Sequence, residues 1–230
     1  MRSPPNASAL ARAVPAAAAA RIEVAASRHR LVRETWRTWP NAVTALRVAA
    51  ALACFVVAAL RQSEAWNYAG LAVYWLLDVA DGTLARALRQ ETRIGAQLDI
   101  LSDRLLIGAF YANFLRGHPA MAIPIALYLF QFVVLDQYLS HQFMRWPCLS
   151  PNYFHEVDRP IWAWNWSPAA KLANGPLATG AIVGAALGGL GWIAPAAVCA
   201  AVIGLKVWSI ARLASLPDPE PWLRRAGGRR

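Results

Sequence analysis

Four aspartates fall within 26 positions of a chain that holds 13 acidic residues in all: Asp78, Asp81, Asp99 and Asp103. Asp78 and Asp81 are spaced i,i+3 and Asp99 and Asp103 i,i+4, so on helices each pair shares one face. A short basic turn, Ala87–Ile94, separates the pairs, so two antiparallel helices joined by that turn bring them together. Four carboxylates in one cleft repel one another and take up protons unless cations are present. Hard oxygen ligands of this kind suit Mg²⁺ or Mn²⁺, and two ions can share them. Gly82 directly follows Asp81 and Gly95 precedes Asp99 by four, which favours close approach of a ligand to the backbone. Two blander readings remain open at this point. The acids could be interfacial, paired with Arg86, Arg89 and Arg104, or they could form a proton relay in a transporter.

The elements that must hold these residues are apolar. Of the 230 residues 57% are hydrophobic and 16% charged, against a usual charged share of about 25%. The remaining charge is lopsided, 23 Lys+Arg against 13 Asp+Glu, a formal net of +10. Such hydrophobicity argues against a disordered basic chain. Three cysteines without a CxxC pair exclude a zinc ribbon or a disulfide scaffold. Six nearly uncharged stretches, around 46–60, 66–77, 105–115, 120–135, 172–190 and 192–205, approach with their flanks the ~20 residues that cross a bilayer. The fold expected is therefore an all-α integral membrane protein of six transmembrane helices. Arginines crowd residues 1–40, the second connection (Arg86, Arg89, Arg93), the fourth (Arg145, Arg159) and the tail. The positive-inside rule then places both termini, and the acidic cluster, on the cytoplasmic side of a cell membrane.

Three regions follow: a basic N-terminal extension (1–37), a membrane domain (38–214) and a basic tail (215–230). Ala13–Ala20 is too short and too weakly apolar for a signal peptide. Ala18–Trp36 interleaves apolar and arginine positions and reads as an amphipathic surface helix or as a plain basic tail. Within the membrane domain, residues 142–168 form a Trp-rich cytoplasmic loop. It is read either as an interfacial anchor or as a lid over an acceptor pocket, with Asp136, His141 or His155 reading hydroxyls. Gly180, Gly184 and Gly188 form a small-residue stripe of the kind used in helix packing.

The run Asp78-Val-Ala-Asp81-Gly82-Thr-Leu-Ala85-Arg86, eight residues, then Gly95, Asp99 and Asp103 resembles the signature of the CDP-alcohol phosphotransferase family (D-x2-D-G-x2-A-R-x8-G-x3-D-x3-D). Eight fixed positions over such a window are far more specific than a short motif. Pro40-Asn41-Ala42-Val43-Thr44-Ala45-Leu46-Arg47 is similar to the family's entry into its first helix. The resemblance implies transfer of the phospho-alcohol part of a CDP-alcohol, such as CDP-diacylglycerol, to a second alcohol, with release of CMP in phospholipid biosynthesis. It implies Asp78, Asp81, Asp99 and Asp103 as ligands of two Mg²⁺ or Mn²⁺ ions, with Asp103 also the general base. Gly82, Ala85, Arg86 and Gly95, joined by Asn41, Thr44 and Arg47, are implied on the nucleotide and phosphate side. A homodimer is implied as well, with membrane lipids around it and no nucleic acid partner.

The acceptor side departs from the family pattern. Phosphatidylglycerophosphate synthases show an Arg-Glu pair near the end of the fourth helix, where this chain reads Val133-Val134-Leu135-Asp136-Gln137-Tyr138. The Gly-Lys-x-Lys-Thr-like start of the fifth helix is reduced to Ser167-Pro168-Ala169-Ala170-Lys171-Leu172. The acceptor is thus expected to be a small alcohol or an alcohol phosphate. Candidate pocket residues are Lys171, Arg145, Arg159, Lys206 and Arg212, with Lys206 read either as a pocket residue or as a snorkelling one. The competing class is a proton- or cation-coupled transporter using the same carboxylates. Clustering of the acids at one edge, rather than scatter over several helix midplanes, ranks it second.

Overall fold

The computed structural model describes residues 34–146 and 148–216. The N-terminal extension with its proposed surface helix lies almost entirely outside the described residues, as does nearly all of the basic tail. Regular structure is all-helical, and no strand occurs among the described residues. Helix α1 is Trp39–Arg61, α2 is Glu64–Leu88 and α3 is Arg93–Gly117. A continuous rod, α4, runs over Pro119–Arg145. After a 3-10 turn at Pro151–Glu156 come α5 (Arg159–Asn165), α6 (168–187) and α7 (Ile193–Ala214).

Each boundary near the acidic cluster has a local cause. Thr38 accepts a hydrogen bond from Asn41 N at 3.3 Å and Pro40 supplies a ready-made first turn, which starts α1. Arg89, in left-handed backbone at φ 55°, ends α2, and Gln90 N reaches back to Ala85 O at 3.0 Å. Thr92 then caps α3 by accepting from Gly95 N at 3.0 Å. The connection is so short that the acidic end of α2 must lie beside the acidic start of α3.

Among the described residues three helices, α1, α4 and α7, are long and apolar enough to cross a membrane. This is fewer than the six stretches read from the sequence, for two physical reasons. Helices α2 and α3 are 25 residues each but carry the acidic cluster and its arginines near their shared end. Helix α6 carries Lys171, Asn174 and Pro176 near its start, which lower its mean hydropathy, and a π-type segment runs over Ala173–Leu177.

All six long helices feed one apolar core, including Phe55, Leu71, Phe110, Tyr128, Ile182 and Cys199. A polar clamp crosses it. Asn113 donates to Phe55 O at 2.9 Å and to Asn67 Oδ1 at 3.3 Å, while Asn67 donates to Phe110 O at 3.1 Å. Such amide bonds tie α1, α2 and α3 where apolar contact alone is unselective. A second, smaller core joins α3, α4, α7 and the Trp-rich segment through Ile100, Phe143, Trp146, Phe154, Ile161, Trp166 and Leu213. Trp146 and Trp166 are buried there on either side of Phe154, both edge-on to its ring. Most of this segment is a packed cap, although Trp164 stays exposed. The Gly180–Gly184 stripe meets nothing: a Cβ added at either position would have no neighbour within 4 Å, so the stripe is not used for packing inside this chain.

At Gly70 α2 packs directly against a side chain of α1. A Cβ there would sit 2.6 Å from Cε1 of Phe55, a ring that is itself buried in the main core. Gly70→Ala is expected to destabilise the bundle by about 1–3 kcal/mol through overpacking. Thermal denaturation in detergent, followed by circular dichroism, checks this. An unchanged midpoint would show that the ring yields freely.

Candidate active site

A cavity of about 470 Å³ opens between the two cores, and its wall runs from the start of α1 to Lys206 of α7. Its acidic half is organised by Arg47. The guanidinium is fully buried and faces all four aspartates of the motif. Nη1 pairs with Asp78 and lies 3.5 Å from Asp81 Oδ2; Nη2 lies 2.7 Å from Asp99 Oδ1 and 3.4 Å from Asp103 Oδ1. Tyr74 covers the guanidinium, its ring centroid 5.6 Å from Cζ. The i,i+3 and i,i+4 spacings thus do what they predict: two pairs on two helices point at one cation from a third.

The four aspartates are not equivalent. Asp78, Asp99 and Asp103 each offer an oxygen within 4.8 Å of the others, and each is partly open to the cavity. Asp81 is turned inward, with a side chain only 6% exposed, and accepts a hydrogen bond from Thr44 Oγ1 at 2.9 Å. Four carboxylates against one guanidinium leave three formal negative charges in a confined space, which is the electrostatic condition under which hard divalent cations bind. The all-oxygen donor set fits Mg²⁺ or Mn²⁺ by chemical type.

Of the residues assigned from sequence to the nucleotide and phosphate side, Asn41, Thr44, Gly82, Ala85, Arg86 and Gly95 all line the cavity. Arg47 lies beneath the carboxylates, where it cannot reach a phosphate directly. Gly95 is required by close approach: a Cβ there would sit 2.7 Å from Asn41 Oδ1 and 3.0 Å from Thr92 Oγ1. At Gly82 the added atom would meet nothing closer than Arg86 Nη1 at 3.5 Å, so packing within the chain does not demand glycine.

The opposite half is a second ionic network. Asp136 pairs with Arg104 and accepts from Lys206 Nζ at 2.6 Å; Lys206 also donates to Asn165 Oδ1 at 2.8 Å. Ser140 donates to Asp136 Oδ2 at 3.2 Å, and Asn165 donates to Ser209 Oγ at 2.9 Å. Lys206 is 1% exposed, so it is a buried cavity residue and not a snorkelling one. Lys171 lies on the wall with an exposed side chain. The other candidate cations are placed elsewhere. Arg212 makes a two-pronged ion pair with Asp158, Arg145 donates to Gln142 Oε1 at 3.3 Å, and Arg159 opens α5 from an exposed position. His141 and His155 each put Nδ1 on a local carbonyl, of Gln137 and Asn152 respectively. Gln131 and Asn165 were not singled out from sequence, although each is a polar residue among apolar neighbours, and Arg104 was named there only as a possible partner of interfacial acids.

The cap closes the cavity wall with Ser150, Pro151 and Asn152. It is tied to the α2–α3 turn by Tyr153 Oη, which donates to Glu91 Oε2 at 2.5 Å, and by Arg93 Nε, which donates to Cys148 O at 3.0 Å. Burial first, and the adjoining Glu91 second, push the Tyr153 phenol up to about 12, so it stays a donor at neutral pH.

The structure is an all-helical bundle with membrane-length helices, and it carries the motif in an acid-lined cleft, as the sequence resemblance implies. The chain belongs to the CDP-alcohol phosphatidyltransferase family, whose model matches residues 37–208, from the start of α1 well into α7. Among curated relatives it is similar to the CDP-diacylglycerol–inositol 3-phosphatidyltransferases of Rattus norvegicus and Mus musculus, each 42% identical over 66 residues. That match spans 29% of this chain and 29% of the length of each relative. No solved structure matches the chain.

Removing Arg47 leaves the carboxylates facing one another without their buried counter-charge, a change that typically costs about 3–5 kcal/mol. Arg47→Gln should therefore lower the melting temperature in EDTA far more than in millimolar Mn²⁺. Equal losses in both media would mean that the cluster is not compensated by divalent cations.

Proposed function

We propose that this enzyme transfers a phosphatidyl group from CDP-diacylglycerol, or a closely related CDP-activated lipid, to an acceptor alcohol, releasing CMP, and depends on Mg²⁺ or Mn²⁺. The observation that carries the reading is the convergence of Asp78, Asp81, Asp99 and Asp103 on Arg47 at the edge of one cavity. Asp78, Asp99 and Asp103 would hold divalent ions at their mutually close oxygens, and Asp81, fixed by Thr44, would complete the set from beneath. Bound there, the ions would neutralise the diphosphate and the departing CMP.

The chain's own residues supply the rest. Asp103 takes the proton of the acceptor hydroxyl on its carboxylate. The acceptor oxygen then bonds to the phosphatidyl phosphorus, and the bridging P–O bond breaks with its electron pair leaving on CMP. Asp103 is suited to this because it stands between the two halves of the cavity, 3.4 Å from Arg47 and 3.8 Å from Arg104. A carboxylate serves as base only when the hydroxyl is positioned against it. Gly82 and Ala85 present bare helix backbone to the nucleotide, with Arg86, Asn41 and Gly95 around it. The absence of any packing demand at Gly82 supports a ligand as the reason for glycine there.

In the bilayer, six spans with both termini and the cavity mouth on the cytoplasmic side suit the arginine distribution and the supply of CDP-activated substrates. A homodimer suits the unused glycine stripe of α6.

Asp103→Asn is expected to cut CMP release from CDP-diacylglycerol by roughly a hundredfold to ten-thousandfold, the scale of a removed general base. Binding of the CDP-lipid in Mn²⁺ should change by no more than a fewfold. Labelled-lipid turnover and equilibrium binding in detergent check the pair. Near-normal turnover would remove Asp103 from the role of base.

A further inference from the structure

The half of the cavity away from the aspartate motif has an unusual charge state. Its two buried cations, Arg104 and Lys206, are both engaged by Asp136, and Lys206 is further held by Asn165. An acceptor bearing a phosphate would have to share these two cations with Asp136 while lying against that carboxylate, which adds repulsion and the cost of desolvating a second anion. Lys171, on the wall outside this network, is exposed and acts on Asp78 on the motif side. What the wall offers without disruption is hydrogen bonding.

Gln131 is the clearest sign of it. The residue is 1% exposed and lines the cavity, yet neither its amide nitrogen nor its amide oxygen has a hydrogen-bond partner among the described residues. Leaving such a buried group unsatisfied costs about 1–3 kcal/mol, which a ligand hydroxyl would recover by both donating and accepting. The backbone that carries it is shaped to the purpose. Gln131 and Asp136 lie five residues apart, which on an α-helix would set them roughly 140° apart. The segment Phe130–Asp136 is π-helical instead, and its i→i+5 register stacks the two side chains on one face, toward the cavity.

We propose that Gln131 and Asp136 form an acceptor subsite for an uncharged polyhydroxy alcohol, and that it selects against phosphorylated acceptors. The proposal rests on the transferase reading above and deepens it. The polyol's hydroxyls meet the Gln131 amide and the one acceptor site left on Asp136 Oδ1, and its reacting hydroxyl faces Asp103, which Arg104 links to this network. The 66-residue similarity to the inositol phosphatidyltransferases is shorter than the stretch from Gln131 to Lys206, so it cannot cover this wall in full. The assignment stands on the cavity itself.

The test uses the full chain in detergent with CDP-diacylglycerol and Mn²⁺. The acceptors are glycerol and myo-inositol against glycerol 3-phosphate and inositol phosphate, and CMP and the lipid product are measured. The expected result is turnover with a neutral polyol and little with the phosphates. Gln131→Met, which keeps the length and loses the amide, should raise the acceptor KM roughly tenfold or more and leave the donor KM within about twofold. Gln131→Asn keeps the amide and should fall between, and the unchanged donor KM shows that both variants are folded. Preference for a phosphorylated acceptor, or an acceptor KM unmoved by Gln131→Met, would overturn the subsite while leaving the transferase reading in place. No CMP release with any acceptor would overturn both.

Discussion

A guanidinium with no solvent contact must be surrounded by negative charge, and Arg47 is the point on which the rest of this structure depends. It enters from α1, the most apolar of the helices around the cleft, and meets carboxylates from both α2 and α3. An arginine buried this way fixes the register of three helices at once, because a shift of one residue in any of them would leave charge unpaired. The caps at Thr38 and Thr92 and the left-handed stop at Arg89 all lie within a few turns of it. At the other end of the same helices the Asn67–Asn113 clamp performs the corresponding task with neutral groups. Between these two polar fixtures the interface is aliphatic and aromatic, and it discriminates poorly between registers by itself.

The ion pairs do not stop at the acidic motif. Asp103 faces Arg47 on one side and Arg104 on the other, Arg104 binds Asp136, and Asp136 binds Lys206. Alternating charge therefore runs from α1 through α3 and α4 to α7 along the cavity wall. It orders side chains from four helices that are too far apart in sequence for local rules to relate. The cap extends the same logic outward: Tyr153 and Arg93 tie it to the α2–α3 turn, and the Arg212–Asp158 pair ties it to α7. Of the candidate cations, Arg212 is thereby engaged in holding the cap in place.

Much of this was legible before any coordinates. The spacing of Asp78, Asp81, Asp99 and Asp103 over a short turn dictates their convergence, because helical periodicity is a local property. That Arg47 belongs to the site could be read from its motif, but not that it lies beneath the acids. That depends on the depth at which α1 packs, which is set by contacts such as Phe55 against Gly70. The spans were harder for a different reason: hydropathy judges a helix by its average, and α2 and α3 spend part of theirs on the charges of the cleft. Lys171 and Lys206 were identifiable as rare lysines in apolar surroundings, and both line the cavity. The same signal, a lone polar residue in an apolar run, was present at Gln131 and Asn165. Their joint position was not readable, since the π-register of α4 is a choice of hydrogen bonds that tertiary packing makes.

Arg104 shows how one helix can serve two chemistries. It follows Asp103 directly, and adjacent residues of an α-helix project about 100° apart. Asp103 can therefore belong to the group gathered around Arg47, while its neighbour turns to Asp136. On the first side, negative charge exceeds positive and calls for cations. On the second, Asp136 already engages both buried cations, Arg104 and Lys206, and the amide of Gln131 is left to bond a ligand. In the proposed reaction these are the two requirements to be kept apart, since a diphosphate needs a field of positive charge and a neutral alcohol needs orientation. A single cavity meets both because the boundary between its halves falls between two consecutive residues of α3, with the proposed base on that boundary. Moving the base further into either half would weaken one demand to serve the other.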